Sequence, residues 1–124
     1  MKDYSCTVRV GDEVTLPFEN VIHDQDECNG TTWLFSSRGS AAVELVNLGQ
    51  IHKDTKAKSD RLRVTEKCSL VIKKVTAEDA GLYTCRQFNT SGQQQGSDSR
   101  VALSVVTSEY LHHNVLVKQY TETL

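Results

Sequence analysis

Apolar residues recur along this chain at every second position, in short runs broken by turn residues. Thr7 to Val10 alternate polar and apolar before Gly11-Asp12-Glu13 turn the chain. Val14, Leu16 and Phe18 alternate with Thr15 and Pro17. A period of two places one set of side chains on a core and the other in solvent, as in a half-buried strand. Thr32 to Phe35 and Ala41 to Leu48 are short aromatic and aliphatic runs, the second ended by Gly49. Leu62 and Val64 alternate with Arg61 and Arg63, and Leu70, Ile72 and Val75 mark the next strand. Leu82 to Phe88 and Val101 to Val106 supply the last clear ones. Turn-rich stretches separate these runs at intervals of about 8–12 residues, the spacing of an all-β sandwich of antiparallel sheets. Thr76 to Asp79 is long enough for a single helical turn. Asn89 to Gly96, with Gln93-Gln94-Gln95, reads as a solvated loop. Beyond the last core strand, Val115, Val117 and Gln119 alternate with Leu116, Lys118 and Tyr120. That pattern admits a strand, but the terminal position favours a frayed segment. The expected organisation is one domain over residues 1–106 and a tail, stalk or linker over 107–124.

Composition narrows the class. The chain has 124 residues, with 14 Lys and Arg against 16 Asp and Glu, for a formal charge of −2. A TIM barrel needs about 250 residues, and a nucleic-acid binder needs a basic patch that this balance does not provide. No stretch approaches the ~20 apolar residues of a membrane span. Met1 to Ser5 form no apolar signal region, so a secreted or membrane-anchored natural protein would include this chain as a portion, with Met1 an expression start and the anchor outside it. Neither Gly-x-Ser-x-Gly, His-Glu-x-x-His nor a phosphate loop occurs, and no carboxylates fall into a recognisable acid–base pair. No enzyme activity and no cofactor are expected. The basic run Lys53, Lys56, Lys58 and Arg61 reads as a solvated strand edge, where lysines discourage aggregation.

The four cysteines, Cys6, Cys28, Cys68 and Cys85, allow either a disulfide framework or a metal site. Tight pairs such as Cys-x2-Cys are missing. The acidic group His23, Asp24, Asp26 and Glu27 lacks the glycine and closing glutamate of a calcium loop, and His112-His113 reads as polar tail. No metal is expected. Asn29-Gly30-Thr31 and Asn89-Thr90-Ser91 are glycosylation triplets, which act only in a secreted protein.

The stretch Asp79-Ala80-Gly81-Leu82-Tyr83-Thr84-Cys85 resembles the Asp-x-Gly-x-Tyr-x-Cys signature of variable-type (V-set) immunoglobulin domains, and the likeness covers about residues 5 to 106. It implies a V-set sandwich with sheets A-B-E-D and A′-G-F-C-C′-C″, the segment Ala41 to Ile51 supplying C′ and the start of C″. It assigns Tyr83 to the tyrosine corner, Trp33 to the buried tryptophan of strand C, and Arg61 as the cation of Asp79. One departure stands out. Phe18 occupies the strand-B position where the family places the partner of Cys85, so Cys85 is expected as a buried thiol beside a structural core of Phe18, Trp33 and Tyr83. The resemblance places Cys28 and Cys68 at sites whose side chains meet near the top of the sandwich. It therefore implies a Cys28–Cys68 bond closing a loop of roughly 40 residues, which contributes ~3–4 kcal/mol on the chain-entropy account. Cys6 then keeps its thiol or bridges to another molecule.

V-set domains bind protein partners through the G-F-C-C′ face and the loop tips. With Trp33 and Cys85 inward, alternation sends Thr32, Leu34, Thr84, Arg86 and Phe88 outward. Leu34, Arg86 and Phe88, with Asn89, Gln93 and Gln94 of the neighbouring loop, are the expected contacts, since an aliphatic, an aromatic and an arginine match hot-spot composition. The wording of Glu66 to Val75 and of Arg86-Gln87-Phe88 is similar to that of immune-receptor domains of bony fish. The resemblance thus implies the extracellular ligand-binding domain of a cell-surface, immune receptor that recognises a protein ligand or counter-receptor. The alternative is a homophilic adhesion module that dimerises through the same face.

Overall fold

In the computed structural model, residues 2–17, 28–37, 40–52, 56–107 and 120–123 are described. The strands are β1 (Lys2–Arg9), β2 (Val14–Leu16), β3 (Thr31–Ser36), β4 (Val43–Asn47), β5 (Gln50–Ile51), β6 (Leu62–Val64), β7 (Leu70–Ile72), β8 (Gly81–Gln87), β9 (Ser99–Val106) and β10 (Tyr120–Thr123). A four-residue helical turn, α1 (Lys56–Ser59), precedes β6, and a 3-10 turn spans Ala77–Asp79. The fold is an all-β sandwich. A seven-stranded sheet runs β10-β1-β9-β8-β3-β4-β5, and a three-stranded sheet runs β2-β7-β6. The core between them contains Leu16, Trp33, Leu45, Leu70, Ile72, Val75, Tyr83 and Cys85, each at most 1% exposed. Phe18 lies outside the described residues, as do His23 to Glu27, Lys53 and His112-His113.

The first strand corrects the expected A-B-E-D sheet. All of β1 lies parallel to β9, from Lys2 opposite Ser99 to Arg9 opposite Val106. A strand changes sheets through a bend or bulge, and β1 contains neither glycine nor proline to make one. Cys6 and Val8 point into the core without interruption. The tail also departs from a frayed end. β10 pairs antiparallel with β1, from Asp3 opposite Thr123 to Cys6 opposite Tyr120.

Two staples hold the sandwich at opposite ends. Cys28 and Cys68 are bonded, with Cα atoms 5.5 Å apart and 40 residues between them in sequence. Both adopt left-handed backbone angles, φ 59° and 65°. The buried Trp33 ring donates from Nε1 to the Cys68 carbonyl, 3.1 Å away. Cys6 and Cys85 are buried and take no part in a disulfide. Burial pushes the Cys85 thiol well above its ordinary pKa.

At the other end Arg61 grips Asp79 with both terminal guanidinium nitrogens, Nη1 to Oδ2 at 2.8 Å and Nη2 to Oδ1 at 3.0 Å. Tyr83 donates its hydroxyl to the Asp79 carbonyl at 2.7 Å, closing the tyrosine corner. Gly81 is required beside it, because a β-carbon there would lie 2.7 Å from the Ser36 carbonyl oxygen. Lys58 corrects the solvated reading of the basic run. Its side chain is only 13% exposed and its Nζ lies 3.1 Å from Asp79 Oδ1. The same ammonium donates to the Tyr83 hydroxyl at 2.8 Å and sits 3.5 Å above the Phe35 ring. The turn α1 carries it under the sandwich instead of leaving it on an edge.

Candidate recognition face

Strand β8 sets the parity of the large sheet. Tyr83, Cys85 and Gln87 are buried, while Leu82, Thr84 and Arg86 are partly exposed on the opposite face. Register carries that parity across neighbours. Arg100 of β9, Thr84 of β8, Leu34 of β3 and Glu44 of β4 lie opposite one another in turn, with Asp3 of β1 beside Arg100. A second outward row joins Ser5, Ala102, Leu82 and Ser36. The centre of the face is therefore Leu34, Leu82, Thr84 and Ala102.

Ion pairs and a histidine–carboxylate contact frame this centre. Arg100 meets Asp3 in a fork, Nε to Oδ1 at 3.1 Å and Nη2 to Oδ2 at 2.9 Å. The guanidinium holds the Asp3 carboxyl below the usual carboxylate range. Arg86 lies 3.2 Å from Asp98, and its side chain keeps 42% of its surface. His52 Nε2 lies 3.1 Å from Glu44 Oε1 at the far margin. Exposed pairs of this kind add little to stability because water screens them. Their effect here is to fix the direction of the arginines.

The loop after β8 is a tight hairpin. Asn89 N donates to the Gln93 carbonyl at 2.9 Å, and Gln95 N to the Gln87 carbonyl at 2.7 Å. Asn89 Oδ1 accepts from the Ser91 and Gln93 amides at 3.0 and 2.9 Å, an Asx turn. Gln94 Nε2 donates to Asp98 Oδ1 at 2.7 Å, joining the Arg86 pair. Phe88 is half-buried, forms a bridge with Gln94, and donates its amide to the Gly30 carbonyl at 2.7 Å. That last bond sets the exposed Asn29 and the half-buried Asn89 on adjoining turns.

The structure thus brings Leu34, Arg86, Phe88, Asn89 and Gln94 to one region, with Gln93 exposed at the loop tip. Thr32 differs from its expected outward exposure, being 4% exposed. The turn at Leu48-Gly49 folds over it: Leu48 N donates to Thr32 Oγ1 at 3.3 Å, and Gly49 N to the Thr31 carbonyl at 2.9 Å.

A family model for the immunoglobulin V-set domain matches residues 2–106. The chain belongs to the immunoglobulin V-set family. Among solved structures this V-set domain is similar to one described as Sidekick-1 immunoglobulin domains 1–4, with 23% identity and a TM-score of 0.54. The match covers 85% of this chain but only 23% of that one, and at that identity it speaks for the fold alone. No curated protein matches the chain. V-set domains are binding modules, and disulfide-bonded ones are usually extracellular.

Sequence reasoning missed four participants of the face: Leu82, Ala102, Asp98 and the Asp3–Arg100 fork. The alternation that placed Thr84 and Arg86 outward also places Leu82 there, so that signal was available. The fork required knowing that β1 runs beside β9.

Proposed function

We propose that this V-set domain is the protein-binding domain of a cell-surface receptor and engages its partner through the outer face of β9, β8, β3 and β4. The observation that carries this reading is the small apolar centre, Leu34, Leu82 and Ala102, framed by arginines already held in ion pairs. Interfaces place apolar anchors centrally and polar groups at the rim, and pre-ordered arginines lose little entropy on docking. Phe88 and the Asn89 to Gln94 hairpin extend the contact toward the loop tips. An immune receptor resembling those of bony fish is the context that the sequence suggests.

Multimerised domain carrying its glycans, screened against displayed cell-surface proteins, tests the reading. A partner whose binding falls at least tenfold on Leu34→Asp, but not on Thr15→Asp in the opposite sheet, supports it. Equal binding by both variants moves the site off this face. A symmetric dimer at micromolar concentration that Leu34→Asp abolishes would assign the face to homophilic adhesion instead. The triplets at Asn29 and Asn89 are read as glycan acceptors, both beside the loop tips. Secreted material should lose mass on glycosidase treatment, and each Asn→Gln variant should lose part of that shift.

A further inference from the structure

β10 lies outside the span that matches the V-set family, yet it extends the larger sheet. One edge of β1 is taken by β9, and the other is taken from Asp3 to Cys6 by Thr123 to Tyr120. A strand edge is a row of backbone donors and acceptors that any extended segment of the right register can satisfy.

The path between β9 and β10 decides what that edge can accept. Val106 lies opposite Arg9 on one side of β1, and Tyr120 opposite Cys6 on the other. Crossing β1 requires two inter-strand spacings and a retreat of three residues, roughly 14 Å in all. The stretch from Val106 to Tyr120 can reach roughly 46–50 Å. The tether is long enough to set β10 on its own β1 or on that of a neighbouring molecule, with the same backbone bonds in either case.

We propose that the outer edge of β1 is a strand-acceptor site whose partner is a second copy of this chain, the two copies exchanging Tyr120–Thr123 reciprocally. Exchange is isologous: each copy gives one strand and receives one. The product is a closed two-fold dimer and not a filament. The bonds are common to both states, so the balance follows the effective concentration of a strand tethered by a short stretch of chain, about millimolar. Dilute protein is monomeric, and crowded copies exchange. The surface is distinct from the outer face proposed above for partner binding.

Shortening the tether is the direct test. Deleting residues 108–119 leaves Thr107 alone between β9 and β10, a reach of roughly 7 Å, too short to close on the same molecule. Light scattering should then report twice the chain mass, with the amides of Asp3 to Cys6 protected from hydrogen exchange. A monomeric mass with those amides exchanging rapidly overturns the proposal. The intact chain gives a second measurement that does not depend on the deletion folding. Its dimer fraction should rise toward one half as concentration approaches ~1 mM. The double change Thr121→Pro and Glu122→Pro should abolish that rise, because proline removes ladder donors. Thr15→Asp, exposed in the opposite sheet, should leave it unchanged. An intact chain that stays monomeric throughout, or a dimer insensitive to the prolines, refutes strand exchange.

Discussion

Asp79 shows how much one side chain can organise. Its carboxylate is 1% exposed and lies against both Arg61 and Lys58. Burial alone would raise its pKa, but the Arg61 fork, the Thr76 amide and the Lys58 ammonium together hold it at about 2, below the ordinary 3.8. Because the folded value is the lower one, this contribution is complete above pH 4 and is lost as pH falls toward 2. It is worth about 2 kcal/mol. Asp79→Asn removes the anion and leaves two cations facing each other under the sandwich. The expected cost at neutral pH is ~3–5 kcal/mol. In urea titrations the gap between variant and parent should narrow between pH 4 and pH 2; a gap that stays constant with pH would show that the charge is not the source. The Arg61–Asp79 pair was legible in the sequence because the signature names both positions. Lys58 was not, since α1 is four residues long and too short for any readable helical period.

Among the elements, the connections carry the instructive differences. The disulfide joins the turn before β3 to the turn before β7, whereas Cys85 in the centre of β8 stays in the thiol form. Reduction should therefore cost ~3–4 kcal/mol through the loop it opens. Chemical denaturation with and without reductant measures this, and an unchanged midpoint would contradict it. The β4–β5 hairpin offers an opposite case. Leu48 and Gly49 both have positive φ, 50° and 87°, the geometry of a type I′ turn. A leucine is a poor occupant of the first position and is 45% exposed there. Leu48→Asn should stabilise the domain by about 1 kcal/mol, read as an upward shift of the thermal midpoint. Alternation identified nearly every strand, but it could not say which sheet receives a strand whose ends are unconstrained. That choice depended on the absence of a bend in β1. The partner of β10 was equally hidden, because pairing across about 115 residues leaves no local pattern.

For the whole molecule, the sandwich presents two separate surfaces: an outer face with an apolar centre and an edge occupied by its own tail. The first was largely readable, because Trp33 and Cys85 fix the parity of the face. The ion pairs framing it depend on strands distant in sequence and were not. The parallel run of β1 beside β9 also determines how the domain answers a mechanical load. Pulling Lys2 against Val106 draws the two strands along their length, so the backbone bonds between them are loaded together and yield at once. Pulling Lys2 against Thr123 starts at the shared end of β1 and β10 and opens that pair one bond at a time. Stretched by its termini, the chain should extend in two steps. A weak early release of the tail comes first, followed by a much stronger event as β1 shears from β9. A force-extension trace with a single peak would contradict this order. A module tethered through residue 107 would bear tension on its strongest axis, while the tail would act as the link that gives way first.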